Sequence, residues 1–308
     1  MELRFWPEGR LLHTKENLAH CASTESLRRA MLQNKVIEGT ALFSDSSHNL
    51  TVRLGNFTGI IPREEGAVGI ADGSTKDIAL LSRVGRPVCG VVTGFREDGT
   101  PLLSRRLAQE LAYAHLLEHL HPGDILPATV THMEPFGVFV DLGCGIPSML
   151  GVETLSVSRI RHPSQRFLPG QEIFAVVTGM DQNLRRIFLS HKELLGTWEE
   201  NVRQFTPGMT VTGTVRSVQE YGVFVELTPN LSGLAESDLP LEEGDRVSVF
   251  IKSILPERMK LKLSVVQQLP PEKRPLPLCY YQTEGHISRW QYAPAGCSKV
   301  GAISVFTD

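Results

Sequence analysis

Two rhythms alternate along the chain. Short runs rich in Val, Ile and Thr, bounded by Gly, Pro and Asp, occupy most of it and predict β-strands. In one stretch they fall at 125–132, 136–142, 148–152, 171–179 and 185–190. Elsewhere the spacing becomes helical: Leu107, Leu111, Ala114 and Leu117 share one face and stop before Pro122. Leu194, Leu195, Trp198 and Val202 read the same way and stop before Pro207, and residues 14–34 also read as helical. Past Gln268, Pro270-Pro271-Glu272-Lys273-Arg274-Pro275 breaks regular structure, and a tail with Tyr280, Tyr281, Trp290 and Tyr292 follows.

The strand pattern repeats. Pro122-Gly123-Asp124-Ile125 aligns with Pro207-Gly208-Met209-Thr210, 85 positions on, and Phe136-Gly137-Val138-Phe139-Val140 aligns with Tyr221-Gly222-Val223-Phe224-Val225 at the same offset. Gly170 and Gly244 are 74 apart, as are Leu189-Ser190 and Leu263-Ser264, so the later copy has lost residues from its middle loop. A more diverged copy lies upstream, where Gly85-Arg86-Pro87-Val88 precedes Gly170 by 85 positions and Leu103-Ser104-Arg105 stands near its end. A unit of about 70 residues is too small for a seven-stranded sandwich but suits a five-stranded Greek-key barrel of the OB type. The predicted fold is therefore mainly β: three tandem five-stranded OB-type barrels joined by short α-helices. The expected parts are a helical segment at 1–34, a divergent barrel at 35–106, a linker helix at 107–120 and a barrel at 121–192. A second linker helix at 193–206, a barrel with a shortened loop at 207–268, and the tail at 269–308 complete the chain.

Composition narrows the class. Of 308 residues, 41% are hydrophobic and 21% charged, which is an ordinary core-forming balance, and no apolar run is long enough to span a bilayer. Five scattered cysteines with no C-x-x-C spacing argue against a disulfide framework or a structural zinc site. With no secretory-type apolar stretch at the start, a cytoplasmic protein without membrane partners is expected. The net charge of −3 speaks against a surface that coats nucleic acid throughout, yet leaves room for a local basic groove.

Two aromatic pairs recur beside the same glycine, Phe136 with Phe139 and Tyr221 with Phe224. A bulge at Gly137 would turn both rings outward while Val138 and Val140 fill the barrel. Paired rings on an OB sheet make a stacking platform for bases; the alternative is that one ring of each pair is a core side chain. Arg159, Arg161 and Arg166 in the middle loop, and Arg185-Arg186 entering the last strand, supply cations around the first pair. Around the second pair Lys260 and Lys262 point outward, but Glu236, Asp238, Glu242, Glu243 and Asp245 crowd the shortened loop.

These residues resemble a known family. The pattern F/Y-G-x-F-V-x-L with a following L-S-x-K, over 121–192 and 207–264, is similar to the S1 RNA-binding domain, and the tandem arrangement resembles the ribosomal protein S1 family and its shorter bacterial relatives. Residues 35–106, with Gly59-Ile60-Ile61-Pro62-Arg63-Glu64-Glu65, are similar to that family's divergent first repeats. The resemblance implies RNA contacts at Phe136, Phe139, Asp181 and Arg186, and at Tyr221, Phe224 and Lys260. It departs at the family's histidine, replaced here by Gly151 and Glu236, and the first copy has Asn49, Leu50 and Thr51 in place of the aromatics.

No Walker A loop, H-E-x-x-H or G-x-S-x-G is present, which argues against an enzyme and implies no cofactor. The expected function is single-stranded RNA (mRNA) binding in translation, on or near the small ribosomal subunit, with the second barrel as principal reader. The alternative is a module that docks by its barrels onto a ribosomal subunit or a ribonuclease, with little RNA affinity of its own.

Overall fold

The computed structural model describes residues 5–182, 185–272, 275, 278–298 and 301–306. Helices α1 (Lys15–His20) and α2 (Thr24–Leu32) lead into strands β1 (Val36–Ser44), β2 (Leu50–Leu54) and β3 (Phe57–Ile61). A short α3 (Ile78–Leu81) precedes β4 (Pro87–Phe95) and β5 (Pro101–Ser104), and α4 (Arg105–His119) follows. The second set is β6 (Ile125–Glu134), β7 (Gly137–Asp141), β8 (Pro147–Gly151), β9 (Glu172–Asp181) and β10 (Arg186–Ser190). After α5 (Trp198–Val202) come β11 (Thr210–Gln219), β12 (Gly222–Thr228), β13 (Leu231–Glu236), β14 (Arg246–Leu255) and β15 (Lys260–Leu269), then a hairpin of β16 (Arg289–Gln291) and β17 (Ile303–Val305). Each set of five closes into a barrel in which the third and fifth strands run parallel. The protein is thus mainly β, with three OB-type barrels, and the strands predicted for the second barrel match those observed to within two residues. Among the described residues no helix is long and apolar enough to cross a membrane.

Two compact units organise the chain: residues 1–120 with 141–147, and residues 121–140 with 148–308. In the first unit, Leu27 and Ala30 of α2 join Ile37, Leu50, Val52, Leu54, Ile61 and Leu103 of the barrel in one core. The Ser23 hydroxyl caps α2 in a reciprocal pair with Ser26. A buried charged cluster lies beside this core. Glu8 accepts from Arg105 at 2.6 and 2.9 Å, from Arg83 at 3.1 Å and from the Cys89 amide at 3.1 Å, while its own N–H donates to Asp141 at 2.7 Å. Burial works against charging Glu8, but the Arg105 guanidinium prevails and holds its carboxyl below the usual range. Burial pushes Glu38 and Asp141 the other way, each up to about 7. One Glu38 oxygen accepts from the Gly9 amide, and the other is buried with no hydrogen-bond partner among the described residues.

Helix α4 corrects the predicted stripe. Its buried residues are Arg105, Ala108, Gln109, Ala112, Tyr113 and Leu116, about one position round from Leu107, Leu111, Ala114 and Leu117. The polar members of that face are satisfied inside: Arg105 by Glu8, and Gln109 by the Val68 amide and the Gly145 carbonyl. The two alanines leave room for the helix to lie against β4. The second predicted linker, 193–206, is also not one helix. A 3₁₀ turn at Lys192–Leu195 ends at Gly196, whose φ of 81° only glycine adopts readily, and Thr197 with Glu200 forms a capping box that starts α5 afresh.

In the second unit, barrel residues Ile125, Val176, Val225 and Val249 share one hydrophobic cluster with Trp198 of α5 and with Ile287, Trp290, Tyr292 and Phe306. The described residues from 278 to 306, which read as an irregular tail, therefore form a strap. It pairs beside β6, where Gly285 accepts from the Ile125 amide at 3.0 Å and the Ile287 amide donates to Gly123 at 2.8 Å. The Tyr280 hydroxyl meets His191 Nε2 at 2.9 Å, and the Tyr292 hydroxyl donates to the Asn230 carbonyl at 2.5 Å. Lys273 and Arg274 of the proline-rich stretch lie outside the described residues.

Candidate functional site

The aromatic pair of the second barrel sits on its outer surface. Val138 and Val140 point into the barrel and are fully buried, so alternation turns Phe139 outward. Phe136 reaches the same surface differently from the expected bulge: it occupies the turn ahead of β7 and is 56% exposed. The third barrel shows the same turn, with Gln219 opposite Gly222 leaving only Glu220 and Tyr221 between the strands, and Tyr221 is 67% exposed. The bulge in the pairing of β11 with β12 lies instead in β11, between Val215 and Ser217. Glycine is required at the strand start for another reason: a Cβ on Gly137 would lie 2.4 Å from the Leu150 carbonyl oxygen on β8. The rings meet edge to face, with centroids 6.1 Å apart for Phe136 and Phe139 and 6.4 Å for Tyr221 and Phe224.

Three side chains that sequence reading passed over extend the first platform. His132 of β6 stacks on Phe139 at 4.3 Å with an interplanar angle of 6°, covering one face of that ring. On β8, Ser148 and Leu150 are buried and Met149 is 40% exposed; on β10, Ile187 and Leu189 are buried and Phe188 is 48% exposed. Phe188 stands opposite Met149 in the parallel ladder, and β8 lies between β7 and β10. Three neighbouring strands thus each present a large apolar side chain outward. The signal for Phe188 was available: in Arg186-Ile187-Phe188-Leu189, two inward aliphatics put the arginine and the phenylalanine on the outer face together.

The predicted charges divide. Arg186 is exposed at the start of β10, opposite Asp181 in the antiparallel ladder, and Arg185 occupies the preceding turn at a φ of 50°. Lys260 and Lys262 are exposed on β15 with Leu261 and Leu263 buried between and beside them. Arg166 is no surface cation. It is 3% exposed and its guanidinium is held by Glu226 at 2.5 and 2.9 Å, a carboxylate that also accepts from Arg216 at 2.9 and 3.0 Å. Arg159 and Arg161 do not flank Phe136 and Phe139. Their loop is tied to the third barrel: the Val157 amide donates to Asn230 Oδ1 at 2.9 Å, and the hydroxyls of Ser158 and Ser232 are 2.8 Å apart. Arg161 pairs with Glu243 at 2.6 Å. The acids of the third barrel are accordingly less repulsive than their number implies, since Lys252 engages Glu236 at 2.6 Å and lowers its carboxyl below the usual value.

His191, in the L-S-x-K stretch, is structural. Its Nδ1 lies 2.8 Å from the Leu155 carbonyl and so donates, leaving Nε2 to accept from Tyr280; burial pushes the imidazole down to about 4. Among the described residues no three His, Cys, Asp or Glu side chains converge to hold a metal ion.

Residues 120–192 match the family described as the S1 RNA binding domain. The chain is similar to the small ribosomal subunit protein bS1 of Leuconostoc lactis, with 32% identity over 55% of this chain and 43% of that protein. It is likewise 32% identical to the bS1 homolog of Bacillus subtilis (strain 168), over 57% of this chain and 50% of that one. The chain spans about half the length of these curated relatives. A crystal structure of a multidomain protein with nucleic acid binding domains from Streptococcus pneumoniae aligns over 76% of this chain and 74% of its own, with 16% identity and a TM-score of 0.26. Residues 120–192 therefore carry an S1 RNA binding domain, and over more than half its length the chain is similar to the small ribosomal subunit proteins bS1.

Proposed function

We propose that the protein binds single-stranded RNA, and specifically mRNA at the small ribosomal subunit during translation, with bases stacked on the outer face of the second barrel. The observation that carries this reading is the exposure of Phe136, in the turn ahead of β7, together with Met149 and Phe188 on the neighbouring β8 and β10, in a barrel that matches the S1 RNA binding domain. Every base has a π-face, so such a surface takes a strand without demanding its sequence, and Arg186 at its margin attracts phosphate. Asp181, beside Arg186, and Arg185 complete the proposed rim; Tyr221, Phe224 and Lys260 form the corresponding surface of the third barrel. His132 covers one face of Phe139, so the proposed stacking surface is made of Phe136 and Phe188 with the remaining face of Phe139, whose ring meets Phe136 edge to face.

A titration of the whole protein against unstructured and duplex RNA at several salt concentrations tests this. Binding is expected for the unstructured RNA, with affinity falling as salt rises. Phe188→Ala is expected to cost ~1–3 kcal/mol of binding, the range for a lost stacked base, without loss of folding. No RNA affinity at low salt, together with salt-insensitive association with small ribosomal subunits, would instead make these barrels protein-docking modules.

A further inference from the structure

The third barrel's aromatic pair does not stand alone. A cavity of about 810 Å³ brings Phe224, Ser217 and Ser232 of that barrel together with Arg159, Arg161 and Glu243. We propose that this is a composite nucleotide site, in which Phe224 stacks a base of single-stranded RNA and Arg159, from the second barrel's middle loop, takes the adjoining phosphate. The inference rests on the RNA-binding reading above and locates a second contact that neither barrel makes by itself.

Several observations carry it. The loop is anchored at both ends of the arginine segment, so Arg159 is delivered to one place rather than swept through solvent. Before it, the Val157 and Ser158 amides donate to Asn230 Oδ1 and the Pro229 carbonyl at 2.9 and 3.2 Å. After it, Arg166 is buried against Glu226 of β12. Arg159 is exposed, and among the described residues no acid pairs with it. Arg161, two positions on, is committed to Glu243, which offsets the charge of that acid on the cavity wall. The hydroxyls of Ser217 and Ser232 add neutral hydrogen-bonding groups to the wall. A planar π-face, a guanidinium on an anchored loop and hydroxyls are the groups that a nucleotide within a strand requires. A carboxylate-bearing ligand would meet the same arginine but would leave the Phe224 face unused, which is why RNA is the ligand proposed.

A double-mutant cycle on the 308-residue chain tests it, with unstructured RNA as the probe and thermal melting as a check on folding. Arg159→Ala is expected to weaken binding several-fold and to reduce the slope of log affinity against log salt by about one ion. Phe224→Ala is expected to weaken it also, and the two losses are expected to be non-additive, because both substitutions act on one nucleotide. Arg159→Ala and Phe188→Ala, on separate surfaces, should add. Additivity of Arg159→Ala with Phe224→Ala, or an unchanged salt slope, in a protein that still binds RNA would overturn the composite site and leave the first reading standing. Absence of RNA binding by the unmodified protein would overturn both.

Discussion

Glu226 accepts two arginines at once while fully buried, and the worth of that arrangement depends on its charge. Replacing it with Gln keeps the size and hydrogen-bonding capacity but leaves Arg166 and Arg216 facing each other without a counter-charge. Breaking a buried pair in this way costs about 3–5 kcal/mol, and Glu226→Gln is expected to lose that much in urea denaturation. A surface pair such as Arg203 with Glu199, 3.1 Å apart and mostly exposed, should by contrast be lost without measurable effect. The triad also shows what a single sequence conceals. Arg166 read as one more loop cation because its partner lies 60 positions away in another copy of the repeat. Phe139 and Phe224, placed by local alternation beside a glycine, were legible; Arg159 and Arg161 were legible as cations, but the barrel they serve was not.

Among the elements, the barrels were readable because a period of two survives wherever one face is buried, and because the repeat shows the pattern more than once. The connections were less so. In α4 the inward face carries Arg105 and Gln109, whose partners are remote, so a search for aliphatic residues selects the wrong side of the helix. Between 192 and 202 the helical spacing was real, yet Gly196 interrupts it. A Cβ on Gly196 would sit 2.5 Å from the Tyr281 ring as well as straining the backbone, so Gly196→Ala should destabilise the second unit more than an ordinary helix substitution does. Thr197→Ala removes only the cap, whose hydroxyl accepts from the Glu200 amide at 3.2 Å, and is expected to cost about 1 kcal/mol. Paired melting curves of the two variants check that order.

Across the whole molecule, the two units are expected to answer pH in opposite senses. In the first, Glu38 and Asp141 have folded values near 7, above their unfolded ones, so the folded state binds more protons between about pH 4 and 7. Its stability should fall as pH rises through that window and level off above it, each carboxyl contributing on the order of 3 kcal/mol. In the second, His191 is pushed down to about 4, so its contribution is complete above about pH 6.5 and is lost as pH falls toward 4. Calorimetry from pH 4.5 to 8 should show one transition moving down and the other up; parallel movement would contradict both assignments.

The strap has a consequence for how the protein is made. Asp124 and His286 face each other 162 positions apart in the chain. Synthesis at about 5–20 residues per second separates their emergence by roughly 10–30 s. Throughout that interval the Ile125 amide and the Gly123 carbonyl, which the strap later engages, present an unpaired strand edge to any neighbouring nascent chain. Polysomes carrying this message in close file would be the place where such edges meet. A chain ending at residue 268 holds that condition permanently and is expected to self-associate in sedimentation experiments at concentrations where the 308-residue chain does not. Adding the strap back as a separate peptide should reverse the association.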